Sequence, residues 1–432
     1  MSQDEATLPL KAALGTDRRA RRRSLSERLV HLAASRIARG TLTIIAEGRV
    51  TRFGVPEEGG LAAEIRVRDR RFFAEVATGG VVAVGDTYRD GLWETPDLVA
   101  LIRLLVRNRD ALASVDGRLA RLVRPLRRLA HRARRNTVSG SRRNIAAHYD
   151  LSNEFFELLL DETMTYSAAV YEHPEQSLAD AQRAKLDRLF RKLDLGPGDH
   201  LLEIGTGWGA LSIRAASEFG CRVTTTTISK EQHAFARRRI DEAGLADRID
   251  LRLQDYRDLE GTYDKIVSVE MIEAVGHEYY RDFFTQCARL GAPDALFAMQ
   301  AITISDQHYE RSRRNVDYIK ARVFPGSNIP SIGALIGAAT RGSDWRLRHL
   351  DDITPHYCRT LAEWRTNLHE ASAEVDALGL DASFRRAWEF YLAYCEGGFA
   401  ERFISTAQLV FSRSDWRGEA PGVPRIKGKR RI

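Results

Sequence analysis

Hydrophobic and polar positions change their rhythm along the chain. Residues 40–80, "GTLTIIAEGRVTRFGVPEEGGLAAEIRVRDRRFFAEVATGG", partly alternate between the two, and Gly or Pro interrupts each run, which predicts the short strands of a small sheet. "PDLVALIRLLVRNRDAL" takes up the 3.6-residue period of a helix. An arginine-rich stretch follows and ends in "TVSGS", a linker composition, so we set a boundary near Ser139 between units 1–138 and 139–432. From Ser177 onward, amphipathic helices alternate with buried strands. "SLADAQRAKLDRLFRKLDLGPGD" is a helix stopped by Gly-Pro-Gly, "HLLEIG" a strand, "ALSIRAASEFG" a helix, and "CRVTTTTIS", "IDLRLQD" and "YDKIVSVEMIE" further strands with "KEQHAFARRRIDEAGL" between the first two. Such alternation calls for a parallel sheet covered on both faces. The expected architecture is α/β, a doubly wound Rossmann-like domain preceded by a smaller α+β domain.

Length and composition fit this division. The 432 residues suit two or three domains, and 44% apolar residues supply a core for each. No apolar run is long enough to span a membrane, and the first residues lack the pattern of a secretory signal, so the expected location is the cytoplasm. Four scattered cysteines without a CxxC pair argue for reduced thiols and against a zinc site. The charge is only mildly basic, with 66 Lys+Arg against 59 Asp+Glu, yet Arg118 to Arg143 carries ten arginines and no acid, with leucines at helical spacing. Further basic clusters lie at Arg18 to Arg23 and in the closing "KGKRRI". A solvated helix explains such runs, and so does a surface that meets anionic headgroups at the inner face of a membrane. The absence of interleaved aromatics argues against nucleic acid. Self-association as a homodimer stays open.

The stretch "LLEIGTGWGALS", Leu201 to Ser212, puts three glycines two residues apart behind a strand that ends in an acid. In a doubly wound sheet the first strand-to-helix turn approaches the ligand most closely, and glycine serves where a Cβ would block the main chain from it. The spacing differs from the GxGxxG of a pyrophosphate turn, and no acid ends the second strand to hold a ribose diol. "EIGTGWG" instead resembles motif I of S-adenosylmethionine-dependent methyltransferases. That resemblance assigns Glu203 and Trp208 to the sulfonium end of the cofactor, Gly205, Thr206, Gly207 and Gly209 to its ribose and methionine, and Asp255 and Tyr256 to adenine.

The flanking segments narrow the class. "HYDLSNEFF", "MTYSAAVY", "SVEMIEAVG", "NVDYIKARVFPGSNIPS", "HYCRTLAEW" and "YCEGGFAERFISTAQLVFSR" run from about Asn144 to Arg413, and this block closely resembles the cyclopropane fatty acid synthase family. "VGDTYRDGLWETPDL" resembles the N-terminal domain of its longer bacterial members. The resemblance implies that an alkene of a phospholipid acyl chain takes the sulfonium methyl, and that the resulting carbocation loses a proton to a bound bicarbonate in a dry site. Its implied bicarbonate ligands are Glu273, Tyr357, the Ile302 main chain, the main chain of Ala168 where the family has Cys, and Gln300 where it has His. Gln keeps a donor but cannot titrate, so the fate of the cation is open between a ring and a methyl or methylene branch. Tyr166 and Ser167 match positions at the carboxylate end of the cofactor, and Thr227, Ser229 and Gln232 positions near its ribose and adenine. Polar residues at strand ends also commonly bond only local main chain. Cys395 matches a cysteine assigned to the family's active site, yet its apolar surroundings suit an inert thiol. His148 and Tyr149 precede the cofactor lid, and Phe324, Pro325 and Gly326 belong to a lipid-facing lid. Two other functions stand beside this one: a methyltransferase for a soluble acceptor, and a binding protein that has lost turnover. Retention of Glu273 and Tyr357 speaks against the second.

Overall fold

The computed structural model describes residues 23–113 and 152–419. The arginine-rich segment Arg118 to Arg143, the boundary near Ser139, His148, Tyr149 and the basic C-terminus lie outside the described residues.

The N-terminal unit comprises α1 (Leu25–Ala34), β1 (Gly40–Ala46), β2 (Arg49–Val55), β3 (Ala62–Val67), α2 (Arg71–Arg89), β4 (Trp93–Glu94), α3 (Leu98–Arg107) and α4 (Arg109–Ala113). Its four strands lie in the order β2-β1-β3-β4. The expected sheet over residues 40–80 therefore stops at Val67, and the rest of that stretch is helical. Phe72, Phe73 and Val76 recur at three- to four-residue spacing and face the core, a period that prevails over the partial alternation around them. At Gly80 the helix kinks, with φ +58° and ψ −144°.

The second unit opens with α5 (Asn153–Leu159) and α6 (Leu178–Leu193). β5 (His200–Ile204), α7 (Ala210–Phe219), β6 (Arg222–Thr227), α8 (Lys230–Glu242), β7 (Ile249–Leu253) and β8 (Tyr263–Val269) follow. α9 (Tyr280–Leu290), β9 (Gly291–Ile304), α10 (Asp306–Arg314), α11 (Ile332–Gly342) and β10 (Arg346–Asp352) come next, then α12 (Thr354–Glu370), α13 (Ser372–Ala377), α14 (Ala382–Ala400) and β11 (Ile404–Ser412). The seven strands run β10-β11-β9-β8-β5-β6-β7. β9, β8, β5, β6 and β7 are mutually parallel, and β11 is antiparallel to both β9 and β10. Helix α6 starts where the Ser177 hydroxyl accepts from the Asp180 N–H, and it ends at Asp194 in the left-handed region, before the Gly-Pro-Gly breaker.

One apolar cluster joins the two units. Phe390 of α14 is fully buried, with its ring 5.9 Å from Tyr88 of α2 and 4.8 Å from Tyr318 of the segment after α10. Burying a ring of that size contributes about 1.5–3 kcal/mol. Gly85 of α2 lies so close to Tyr318 that a Cβ there would come within 2.3 Å of the ring. Arg322 forks onto Asp86 at 2.6 and 2.7 Å, tying the segment after α10 to α2. The cavity described next opens between these packed units, beyond the carboxyl ends of β5, β8 and β9, where strand order reverses.

Candidate active site

A cavity of about 1360 Å³ occupies that crevice, larger than the roughly 300–1,000 Å³ of an ordinary small-molecule site. One wall is the turn from β5 into α7. Gly205, Thr206, Gly207 and Trp208 line it. Gly207 has φ +53°, and a Cβ built on it would meet nothing within 4 Å among the described residues beyond its chain neighbours, so its missing side chain leaves space beside the main chain. Gly209, at φ +92°, does not line the cavity; a Cβ there would press on Ala236 at 3.3 Å, and its bareness lets the turn pack on α8. The Glu203 carboxylate lies beneath the turn and accepts from Ser212 Oγ and, at 2.6 Å, from Thr225 Oγ1. Burial raises its pKa to about 7 against the pull of those two hydroxyls.

The opposite wall is a cluster of side chains and main-chain groups. Glu270, one residue beyond β8, has φ +48°, a strained conformation for an L residue that costs about 1–3 kcal/mol. Held there, its Oε1 accepts from Ala168 N–H at 3.0 Å and from Gln300 Nε2 at 2.8 Å, and its Oε2 from the Tyr357 hydroxyl at 2.7 Å. Glu273 Oε1 accepts from the Ile302 N–H, whereas its Oε2 is buried with no partner among the described residues. Burial first, and Glu270 second, push the Glu273 carboxyl up to about 8. Burial also raises Glu270, opposed by its three hydrogen bonds. With Glu273 raised to about 8 by burial and by the neighbouring Glu270, the two carboxyls titrate as a coupled pair. Lys185 of α6 is fully buried nearby, its Nζ 2.7 Å from Ser167 Oγ, and burial lowers it to about 8.

This arrangement bears on the bicarbonate expected from the resemblance. The Ala168 main chain, Gln300, Tyr357 and the Ile302 main chain were its donors, and all four donate to the protein's own carboxylates. Ala168 and Gln300 stand behind Glu270 and do not line the cavity. A second anion beside two carboxylates finds none of that donor set free, so the residues present do not fit it.

The other expected residues divide. Tyr166, Ser167, Thr227, Gln232, Asp255 and Tyr256 line the cavity. The Tyr166 and Tyr391 hydroxyls meet at 2.7 Å, and Thr227 Oγ1 donates to Gln232 Oε1 at 3.0 Å. Asp255 is chelated by Arg257 at 2.7 and 2.9 Å, and Trp208 donates its indole N–H to Asn153 at 2.8 Å. Ser229 departs from expectation: it lies off the cavity, and its hydroxyl caps α8 by accepting from Gln232 N–H. Cys395 lines the cavity, but burial pushes its thiol far up, so it serves as neutral wall.

Sequence reasoning missed Glu270, Lys185 and the residues behind Gln300. Gln408 Nε2 donates to Gln300 Oε1 at 3.0 Å, and Lys192 Nζ in turn donates to Gln408 Oε1 at 2.7 Å. The chain Lys192–Gln408–Gln300 thus aims the Gln300 amide N–H at Glu270. Lys185 had a legible signal, a cation on the apolar stripe of Leu178, Ala181 and Leu189.

A seven-stranded sheet of this order, with a glycine turn after its first parallel strand, defines a class I S-adenosylmethionine-dependent methyltransferase. The bare cradle at Gly207 and the polar groups of Gln232 and Asp255 beside it fit that cofactor. A family model described as mycolic acid cyclopropane synthetase matches residues 137–409, and the chain belongs to that family. The tuberculostearic acid methyltransferase UfaA1 of Mycobacterium tuberculosis is 38% identical over 345 residues, covering 77% of this chain and 79% of that protein. The cyclopropane-fatty-acyl-phospholipid synthase of Escherichia coli K12 is 33% identical over 372 residues, covering 85% and 93%. Among solved structures, the mycolic acid cyclopropane synthase CmaA1 complexed with SAH and CTAB superposes with a TM-score of 0.59 at 30% identity, over 63% of this chain and 98% of that one.

Proposed function

We propose that the protein transfers a one-carbon unit from S-adenosylmethionine to the double bond of an unsaturated phospholipid acyl chain, and that the Glu270–Glu273 pair takes up the proton released. The observation that carries this reading is the buried Glu273 Oε2, without a partner among the described residues, in a cavity that Tyr391, Phe399 and Ile404 also line. When bound, the cofactor supplies an electrophilic methyl carbon. The protein's part is to hold an oily chain away from water, to tolerate a cation and to remove one proton. Aromatic rings at Tyr357, Tyr391 and Phe399 offer π faces to a cation, and the Glu270 and Glu273 carboxyls line the same cavity. Tyr357 stacks on Phe399 at 4.5 Å, which fixes its hydroxyl on Glu270 and leaves Glu273 Oε2 as the open acceptor. Proton removal from the transferred carbon closes a cyclopropane ring.

A methylene branch, later reducible to methyl, is the second reading. Gln300, which cannot titrate, favours it, as does the similarity to a relative named as a tuberculostearic acid methyltransferase. We further propose that the enzyme works from the cytoplasmic side as a peripheral membrane protein; among the described residues no helix is long and apolar enough to cross a bilayer. The test is to incubate the purified protein with the cofactor and monounsaturated phosphatidylglycerol vesicles and analyse the acyl chains. A gain of one CH2 per chain is expected. Proton NMR then separates ring protons from vinylidene protons, since the two products are isomers. No gain, with cofactor binding intact, overturns the proposal.

A further inference from the structure

The cavity continues past the carboxylate pair. Leu42, Ile44, Ile65 and Phe72 of the N-terminal unit line it as well, and so do Arg109, His308 and Arg311 where α4 meets α10. The last group is cationic and reaches solvent, with the Arg109 and Arg311 side chains 34% and 55% exposed. His308 and Arg311 sit three residues apart on one face of α10. Arg109 Nη2 lies 3.0 Å from His308 Nε2, and His308 Nδ1 lies 2.7 Å from Ser305 Oγ. A guanidinium only donates, so Nε2 accepts and the imidazole carries its hydrogen on Nδ1. The Arg109 guanidinium is stacked 4.7 Å over the Phe403 ring, its Nη1 donates to the Val106 carbonyl at 3.3 Å, and its Nε is buried with no partner among the described residues. Among the described residues one carboxylate, Asp110, serves both arginines, at 3.8 Å from Arg109 and 3.2 Å from Arg311. Two guanidinium groups on one exposed carboxylate leave a net positive charge at the edge of the cavity, with Arg109 held in place by its neighbours and Arg311 the more open of the two.

We infer that this cluster binds the phosphodiester of a glycerophospholipid whose acyl chain lies in the cavity and reaches the carboxylate pair. The inference rests on the lipid reading above and names the part of the substrate that the reaction does not touch. A forked guanidinium matches the geometry of phosphate oxygens, and its weak hydration suits a half-buried site. The apolar wall asks for hydrocarbon and the arginines for an anion, and a phospholipid joins both at a fixed separation. A free fatty acid offers the same two chemistries with a carboxylate, so the experiment must separate them.

The full chain and two variants, Arg311→Gln and Arg109→Gln/Arg311→Gln, are titrated with dioleoylphosphatidylcholine, dioleoylglycerol and oleate in the same neutral-detergent micelles. Bromine-labelled chains quench tryptophan fluorescence and report binding without turnover. The natural chain is expected to bind the phosphodiester lipid about tenfold more tightly than the diacylglycerol, as for one or two charge-assisted hydrogen bonds. The double variant should lose that preference to within about twofold while cofactor affinity, measured by calorimetry, shows that it is folded; the single variant, at an exposed side chain, should fall between. A preference that survives in the folded double variant, or that the natural chain lacks, overturns the inference. Oleate binding as tight as phospholipid binding, with the same loss in the variants, also overturns it. Arginine-dependent phospholipid binding without acyl turnover supports this subsite while refuting the proposed reaction.

Discussion

At the β5–α7 turn the binding surface is largely main chain, whereas across the cavity it is assembled from side chains and main-chain groups of five separate segments. Ala168, Glu270, Gln300, Tyr357 and Gln408 come together there from positions up to 240 residues apart in sequence. The first wall is specified by three glycines in five consecutive residues, two lining the cavity and the third packing the turn on α8, and its shape follows from local geometry. The second exists only when β8, β9, β11, α12 and the loop before α6 have docked. The two walls should therefore fail in different ways when altered.

The largest effect is expected on the main-chain wall. Gly207→Val places a branched side chain in the space beside the turn and at φ +53°, which valine resists. Cofactor affinity should fall by about 100-fold or more in calorimetry, since the added atoms occupy the ligand's place as well as straining the backbone. Unchanged affinity would mean that the cofactor lies elsewhere.

Charge on the other wall should alter rate and pH dependence while leaving cofactor affinity within about twofold. Glu273 holds its proton up to about pH 8, so acidification removes the ionised base and the turnover rate should fall as pH drops through that value. Glu270→Gln removes the neighbouring negative charge, so the inflection should move to lower pH, and the rate should fall about tenfold or more as the pair is broken. Stability should follow the same group. From its ordinary 4.5 to about 8, folded Glu273 keeps a proton that the unfolded chain has released, so its contribution opposes folding more strongly as pH rises through that window. Glu273→Gln should accordingly raise Tm more at pH 8 than at pH 5. An equal shift at both values would remove the raised carboxyl from the account.

The smallest effect tests how the wall is held. Gln408→Leu removes the hydrogen bond that orients Gln300, and a loss of about 1 kcal/mol should appear as a three- to tenfold lower kcat with the cofactor KM unaltered. A shifted pH inflection in this variant distinguishes a positioning role for Gln408 from simple loss of packing.

The contrast also explains what the sequence disclosed. Strand and helix alternation announced the doubly wound sheet because each element carries its own period, and "EIGTGWG" announced its turn because the turn is contiguous. Glu273, Tyr357, Gln300 and Ile302 were found through resemblance, which conveys identity but not pairing. Glu270 stood in the quoted "SVEMIEAVG" and was passed over, because an acid at a strand end has no period and its left-handed φ is invisible before folding. Ser229 was assigned to the cofactor, although a Ser two residues after a strand and one before a helix is placed to cap that helix. Over residues 40–80 a partial alternation masked the helical spacing of Phe72, Phe73 and Val76.

The central claim is that the proton acceptor belongs to the chain, and one measurement reaches it directly. Turnover of the natural chain is followed in buffer stripped of dissolved carbonate, then after bicarbonate is restored. A rate that is the same in both, together with its loss in Glu273→Gln at unaltered cofactor affinity, is the result expected of the Glu270–Glu273 pair. A rate that disappears on stripping and returns with bicarbonate contradicts it.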